Sequence, residues 1–466
     1  MTSTSKSNAQ DAERSGRGAL RLAFFAFALC VLGAISLVYQ TRAPREAEPN
    51  AVSRFRVQSR SMEPAYFGPR FDWRCDRCDR AFTTTVDVEA KRSSDELASF
   101  NDNATSAEAR AFLASARYAS CPFCGNDQVA SSTAEFRDGD EVDGAPQDAP
   151  SFARWEAGVF RDAQGRLALK RTIGLPGERV SILNGDVYVD GKIPRRTPDE
   201  ILATAISVFP VAVDRIEGRA TISRVSRSLS STGESVELKT AITNESTTPS
   251  WNGANTSEVE FARDFILRFD WTTFAGGSNR VAVLARRPSR AWLLEIDAGT
   301  GEVVARSTPL LRDKTAWNAS FETLEPRDFH DAPKTRFASA SLQASEGRRR
   351  VEIMLVDGEI AVLIDGTELA RFDSRDAEEE TKIGIATPFV LLGDATRAQR
   401  PTLWRDLHYS SVADSRSERT IPAGRYYALG DNSPASRDSR FEDVGFVEPH
   451  MKLRARLNVR DIDKDF

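Results

Sequence analysis

The sequence predicts a mainly β chain behind an N-terminal transmembrane helix, with two modules inserted into its β domain. Three observations carry this. An 18-residue run without a charge occupies Leu22–Tyr39, four cysteines form two C-x2-C units, and short apolar or alternating runs separated by Asn-Gly, Asp-Gly and Gly-Gly turn signals fill most of the rest. The 466 residues are enough for about three domains. Sixty-three Lys and Arg face 68 Asp and Glu, a net charge of -5 with no long run of either sign, which argues against a nucleic-acid partner. The three histidines, His330, His408 and His450, are too few for a multi-histidine metal centre, so any catalytic base is expected to be another residue.

The run Leu22–Tyr39, LAFFAFALCVLGAISLVY, spans roughly 27 Å at about 1.5 Å per residue, just enough to cross a bilayer. A cleavable signal peptide would have a shorter apolar region followed by small residues, whereas this one ends in Tyr39, Gln40, Thr41 and Arg42. The reading is an uncleaved signal-anchor in a cell membrane. Residues 1–21 are expected to be cytoplasmic, with Arg14, Arg17 and Arg21 as a basic flank, and the rest extracytoplasmic; Arg42 and Arg45 weaken the asymmetry. Residues 40–54 read as a tether.

Cys30 lies inside the apolar run and reads as a small hydrophobe. Cys75-Asp-Arg-Cys78 and Cys121-Pro-Phe-Cys124-Gly125 are two knuckles with 42 residues between them, expected to form a four-cysteine zinc-ribbon-like insert over 71–136. Two disulfides are the rival arrangement, which an extracytoplasmic location permits; the C-P-x-C form and the glycine after it favour structural zinc. Between the knuckles, Glu89–Ala116 reads as helical.

Three stretches carry chemistry. The first is Gln58-Ser59-Arg60-Ser61-Met62-Glu63-Pro64. The second, Lys170-Arg171-Thr172-Ile173-Gly174-Leu175-Pro176-Gly177-Glu178, precedes a hairpin over Val180–Gly191 with an Asn184-Gly185 turn. The third is Gly430-Asp431-Asn432-Ser433-Pro434-Ala435-Ser436-Arg437-Asp438-Ser439-Arg440. Singly these would be a polar turn, a solvated basic pair and a surface ion pair. In this order behind one membrane span, they resemble the S-x-S-M-x-P, K-R-x-x-G-L-P-G-[DE] and G-D-N-x-x-x-S-x-D-S-R boxes of signal peptidase I, the membrane-anchored Ser/Lys endopeptidase family. Gly139-Asp140 and Arg154-Trp155-Glu156 through Phe160 resemble that family less closely. The resemblance covers well under half of the chain.

It implies a β catalytic domain in three parts, 55–70, 137–199 and 416–466, that cleaves signal peptides from exported preproteins at the outer face of the membrane and needs no catalytic cofactor. By this resemblance Ser61 is the nucleophile and Lys170 its general base. A serine–lysine pair works only where burial leaves the amine neutral, and Leu167, Leu169 and Ile173 are the expected apolar neighbours of Lys170. Ser59, with the backbone N–H of Ser61, would form the oxyanion hole. Ser436 would orient the lysine; Asp438, Arg440, Arg171, Gly430, Asp431 and Asn432 would support the site; Met62 and Pro64 would face the substrate and the bilayer. The chain departs from the family pattern at Ala65-Tyr66, at Glu178, at Ser433-Pro434 and in two extra residues after Arg440.

Residues 200–415 are expected to form an inserted antiparallel β-sandwich, possibly concanavalin-like: Phe265–Trp271, Val281–Leu284, Trp292–Asp297 and Arg350–Gly366 are its clearest strands, and Leu403–Tyr409 its last. Trp271, Trp292 and Trp404 read as core aromatics, with no paired-carboxylate glycosidase signature. Two other functions fit less well: a specialised processing protease for a few surface proteins, and an envelope-anchored binding protein whose sandwich takes a glycan or protein ligand beside a vestigial peptidase core.

Overall fold

Antiparallel strands make up most of the described structure, and Pro198–Thr204 is an α-helix described along its whole length. The computed structural model describes residues 53–85, 134–146, 150–208, 211–216, 218–229, 235–244, 260–274, 279–310, 321–338, 346–375, 384–393, 397–410 and 415–457, with parts of 118–129 and Val412. The apolar run 22–39 and the expected helix 89–116 lie outside the described residues. Among those described, no helix is long and apolar enough to cross a membrane.

A six-stranded sheet holds the start of the second chemical stretch in one of its strands and carries the first and third in loops that follow two others. Its spatial order is Ser53–Arg56, Glu141–Pro146, Glu448–Leu457, Ala157–Arg161, Leu167–Gly174, Tyr427–Leu429. Side chains alternate along each strand, so each apolar set commits to one face. Val142, Val159, Leu169 and Met451 pack with Val57 and Met62 in one cluster. Phe152, Phe160, Tyr426 and Ala428 form another, with the Phe152 and Phe160 ring centres 4.8 Å apart. Beside this sheet, strands Arg179–Leu183 and Asp186–Val189 form a hairpin. Its two turn residues, Asn184 and Gly185, both have positive φ, 54° and 92°, as a two-residue turn of the right twist requires.

Arg70–Arg74, Ala81–Thr85 and Ala134–Arg137 form a small sheet beside a hairpin of Tyr118–Ser120 and Asp127–Val129. It is too small for a large core and gathers Trp73, Phe82, Cys75 and Cys121; Trp73 stacks on Phe82 and donates its indole N–H to Thr84 Oγ1 at 2.8 Å.

The largest core lies between a six-stranded and an eight-stranded sheet spanning Ile206 to Arg405. Phe265, Leu267, Phe269 and Trp271 point inward from one strand and meet Val281, Val283 and Ala285 from the other sheet, the period-two pattern read from the sequence. Asp357-Gly358 and Asp365-Gly366 turn with positive φ as their composition requires. Trp271 and Trp292 are buried in this core. Trp404 is not: it is half-buried on the outer face, where the helix Pro198–Thr204 covers Ile266, Met354 and Leu363, and the Arg268 guanidinium lies 4.7 Å above its ring. Its place on the strand opposite Leu403 forces this outward direction. The helix is fixed by a capping box, Thr197 accepting from Glu200 N–H while the Glu200 carboxylate accepts from Thr197 N–H at 2.8 Å.

Candidate active site

The segment carrying Ser59 and Ser61 leaves the first strand at Arg56 and returns on itself at Phe67 and Gly68. Asp140 closes that loop: its backbone bonds both Val57 N–H and Phe67 C=O at 2.8 Å, its carboxylate accepts Phe67 N–H at 2.9 Å, and Arg70 lies 3.1 Å from its other oxygen. Gly139 is required here. With φ at +56°, a Cβ would stand 2.1 Å from Val57 O. Within the loop, Ser59 Oγ donates to Ser61 Oγ at 3.1 Å and accepts from Ser61 N–H at 3.5 Å, so hydroxyl and backbone donor sit side by side.

Lys170 stands in the strand Leu167–Gly174, buried, and donates to Ser436 Oγ at 3.1 Å. Gly430 joins this pair to the serine segment. The point where a Cβ would sit on Gly430 is 2.2 Å from Ser436 Oγ and 2.3 Å from Ser61 O, so the absence of a side chain lets three chain segments meet. Asn432 locks the approach, its backbone N–H donating to Ser61 O at 3.0 Å and its side-chain amide to Arg60 O at 3.2 Å.

Behind these groups stands a fully buried ion pair. Arg440 donates to both carboxylate oxygens of Asp438, at 2.8 and 3.1 Å, and also to Ser433 Oγ, Ser433 O, Ser436 O and Ser410 O. Asp438 in turn accepts Gly430 N–H at 3.0 Å. Burial pushes the Asp438 carboxyl up, but the charge and hydrogen bonds of Arg440, with help from Lys170 and the Gly430 N–H, hold it below the usual carboxylate range. On the other face of the lysine strand, Arg171 grips Asp431 with two bonds of 2.7 and 2.6 Å and donates to Trp155 O at 2.7 Å. Burial opposes the Arg171 charge, yet Asp431 more than compensates and raises its pKa.

Two expectations need correction. Met62 does not face a bilayer or a substrate: it is fully buried among Val57, Val142, Val159, Leu169 and Met451, where its unbranched thioether fills the space above the sheet. Pro64, beside it, is half-buried. Nor do Leu167, Leu169 and Ile173 surround Lys170, because strand alternation puts them on the opposite face, and Leu167 is exposed. The apolar group on the lysine's own face comes from Gly158, its direct cross-strand partner. Lacking a side chain, Gly158 leaves room for the Phe152 ring, 2.2 Å from where its Cβ would be. Sequence reading missed this pair, and also missed Ser433, whose hydroxyl takes the Ser410 N–H at 2.8 Å and the Arg440 guanidinium at 2.6 Å. The signal for Ser433 was present in its departure from the family pattern. Each histidine engages a group other than Ser61: His330 meets Asp331, His408 meets Glu260 and His450 meets Arg161.

The four cysteines of the small insert come together as crossed pairs. Cys75 Sγ is 3.5 Å from Cys124 Sγ and Cys78 Sγ is 3.7 Å from Cys121 Sγ, with all four within 4.8 Å of one another. A disulfide would bring two sulfurs to about 2.05 Å, whereas the edge of a zinc–thiolate tetrahedron with bonds of about 2.3 Å is about 3.8 Å. Burial raises the Cys75 thiol, but backbone N–H groups of Cys78 and Arg77, with hydrogen bonds from neighbouring thiols, bring it down to about 7. The donor set fits zinc.

Residues 353–460 match the family model described as signal peptidase, peptidase S26. That stretch includes the Gly430–Arg440 loop and stops short of the Ser61 and Lys170 segments. No curated protein matches the chain. Among solved structures, Caenorhabditis elegans galectin LEC-6 is similar at 15% identity and a TM-score of 0.20, over 32% of this chain and 84% of its own. The carbohydrate-binding module CBM66 from Bacillus subtilis is similar at 7% identity and a TM-score of 0.19, over 42% of this chain and 88% of its own. Ruminococcus gnavus IT-sialidase CBM40 is similar at 12% identity and a TM-score of 0.17, over 31% of this chain and 73% of its own. Scores this low carry no functional inference.

Proposed function

We propose that this protein is a membrane-anchored serine endopeptidase of the signal peptidase I type, acting on exported preproteins at the outer face of a membrane. The observation that carries the reading is the meeting at Gly430 of Ser61, Ser436 and, through Ser436, Lys170, three residues from separate segments. In this reading Ser61 Oγ attacks the scissile carbonyl carbon and its proton passes to Lys170 Nζ. The oxyanion that forms accepts hydrogen bonds from Ser61 N–H and the Ser59 hydroxyl. Lys170 then protonates the leaving amine, and water releases the acyl group from Ser61. Residues 22–39 would hold the enzyme where the cleavage site of a membrane-inserted preprotein emerges.

Cleavage of a model preprotein by full-length protein in detergent, with N-terminal sequencing of the product, tests this. A single cut after an A-x-A-like site is expected, and no cut in any of several preproteins would sink the reading. Ser59→Ala is expected to lower kcat by about 100-fold with little change in KM, since it removes one oxyanion donor. An equal fall in binding alone would remove Ser59 from that role.

For Cys75, Cys78, Cys121 and Cys124 the proposal is one structural zinc, which when bound would close the insert and take no part in catalysis. Elemental analysis should find about one zinc per chain, and a strong chelator should lower the melting temperature. Two mapped disulfides and no metal would replace it.

A further inference from the structure

The β-sandwich meets the catalytic domain through a buried arginine that the motifs do not include. Arg196 lies between the hairpin and the helix at the sandwich entrance, with its side chain 2% exposed. It donates twice to Asp357, at 2.7 and 2.8 Å, on the turn that joins two strands of the six-stranded sheet. It also donates twice to Asp406, one bond at 3.0 Å, where the chain leaves the sandwich. An internal turn of the insert and the point where the chain leaves it are thus drawn to one guanidinium at its entrance.

That guanidinium lies 4.9 Å over the Trp155 ring. Trp155 holds a left-handed backbone, φ +68°, uncommon for a bulky side chain and maintained only where surroundings enforce it. Its N–H donates to Thr172 O at 2.8 Å and its carbonyl receives Arg171, which grips Asp431. The residue after Asp431 is Asn432, which holds the backbone of Arg60 and Ser61. From sandwich to nucleophile segment every link is a direct contact: Asp357 and Asp406, Arg196, Trp155, Arg171, Asp431 with Asn432, Ser61.

A second tie runs beside the first. Ser410, just past the sandwich, donates its N–H to Ser433 Oγ and accepts Asn244 from within the insert at 2.8 Å. Ser433 is the position where the loop departs from the family pattern, and its hydroxyl is what the insert engages.

We infer that the sandwich is a working part of the peptidase, with Arg196 as the positioning residue through which it sets the Gly430–Ser436 loop against Ser61. An insert merely tethered at two exposed points would leave that loop alone. The kinetic arm of the test rests on the peptidase reading above; the exchange arm does not.

The experiment compares full-length wild type with Arg196→Met by preprotein cleavage and by amide hydrogen exchange. Arg196→Met should lower kcat by about 10- to 100-fold with KM changed less than about threefold, as expected when reacting groups lose alignment and not affinity. Amide exchange across residues 430–436 should accelerate at least about fivefold. Asp357→Asn, which keeps Arg196 and loosens only its hold on the sandwich, should move both readouts the same way by less, and it decides the matter if Arg196→Met fails to fold. Unchanged exchange across 430–436 overturns the inference, and so does faster exchange with kcat unaltered. If wild type itself cleaves nothing, the peptidase reading falls while the exchange comparison still decides the coupling.

Discussion

Ser61→Ala and Lys170→Met are each expected to lower preprotein cleavage by about 10,000-fold or more, and the double variant to be no worse than either alone. The non-additivity follows from the site: a serine hydroxyl without a neutral amine to take its proton is a weak nucleophile, and the amine without the hydroxyl has nothing to activate. Lys170→Met keeps the volume and flexibility of the side chain in a strand paired on both sides, so the fold should survive. Initial rates on one preprotein, with melting temperature as the control for folding, check this. Retention of more than a few per cent of activity by either single variant would exclude the dyad.

The second large effect is on stability. Arg440→Met should destabilise the protein by about 3–5 kcal/mol, because it leaves the Asp438 carboxylate buried with its charge uncompensated. Asp438→Asn in the same chain should recover part of that loss. Wild-type stability should also depend on pH through this pair. Asp438 is held below its ordinary value in the folded state, so its contribution is complete above about pH 4, the unfolded carboxyl range, and fades as pH falls through the lower folded-state value. Arg440→Met should remove that acid-side dependence. Denaturant midpoints of the single and double variants, measured at neutral and acid pH, provide the check. A single variant within about 1 kcal/mol of wild type would mean that the pair is not what holds the loop.

Much of the architecture was legible in the sequence because it depends on local rules. Alternation of apolar residues specified strands such as Phe265–Thr273 and the hairpin Gly347–Ile364, and paired positive-φ turn residues marked where they reverse. The chemical stretches were legible for the same reason. Each is contiguous, so serine spacing, the lysine and the Gly-Asp-Asn turn can be read without knowing what they touch.

Contacts across the chain were not legible. A lysine's own strand neighbours suggest its surroundings, but the pleat turns Leu169 and Ile173 away, and the register opposite Gly158 brings Phe152 to the lysine face. Met62, polar by neighbourhood in a serine-rich box, enters a core because the loop closed by Asp140 folds it over the sheet.

The sequence by itself therefore determined which reactive groups this protein possesses and which segments are strands, since both follow from residue type and short-range steric preference. Only the tertiary structure decided how closely Lys170 approaches Ser436, 3.1 Å across 266 positions, and that Arg196 joins Asp357 and Asp406 of the sandwich to the Trp155 ring. The physical reason is that hydrogen bonds and ion pairs act over a few ångströms of space, and distance along the chain says nothing of that separation until the sheets have set their register.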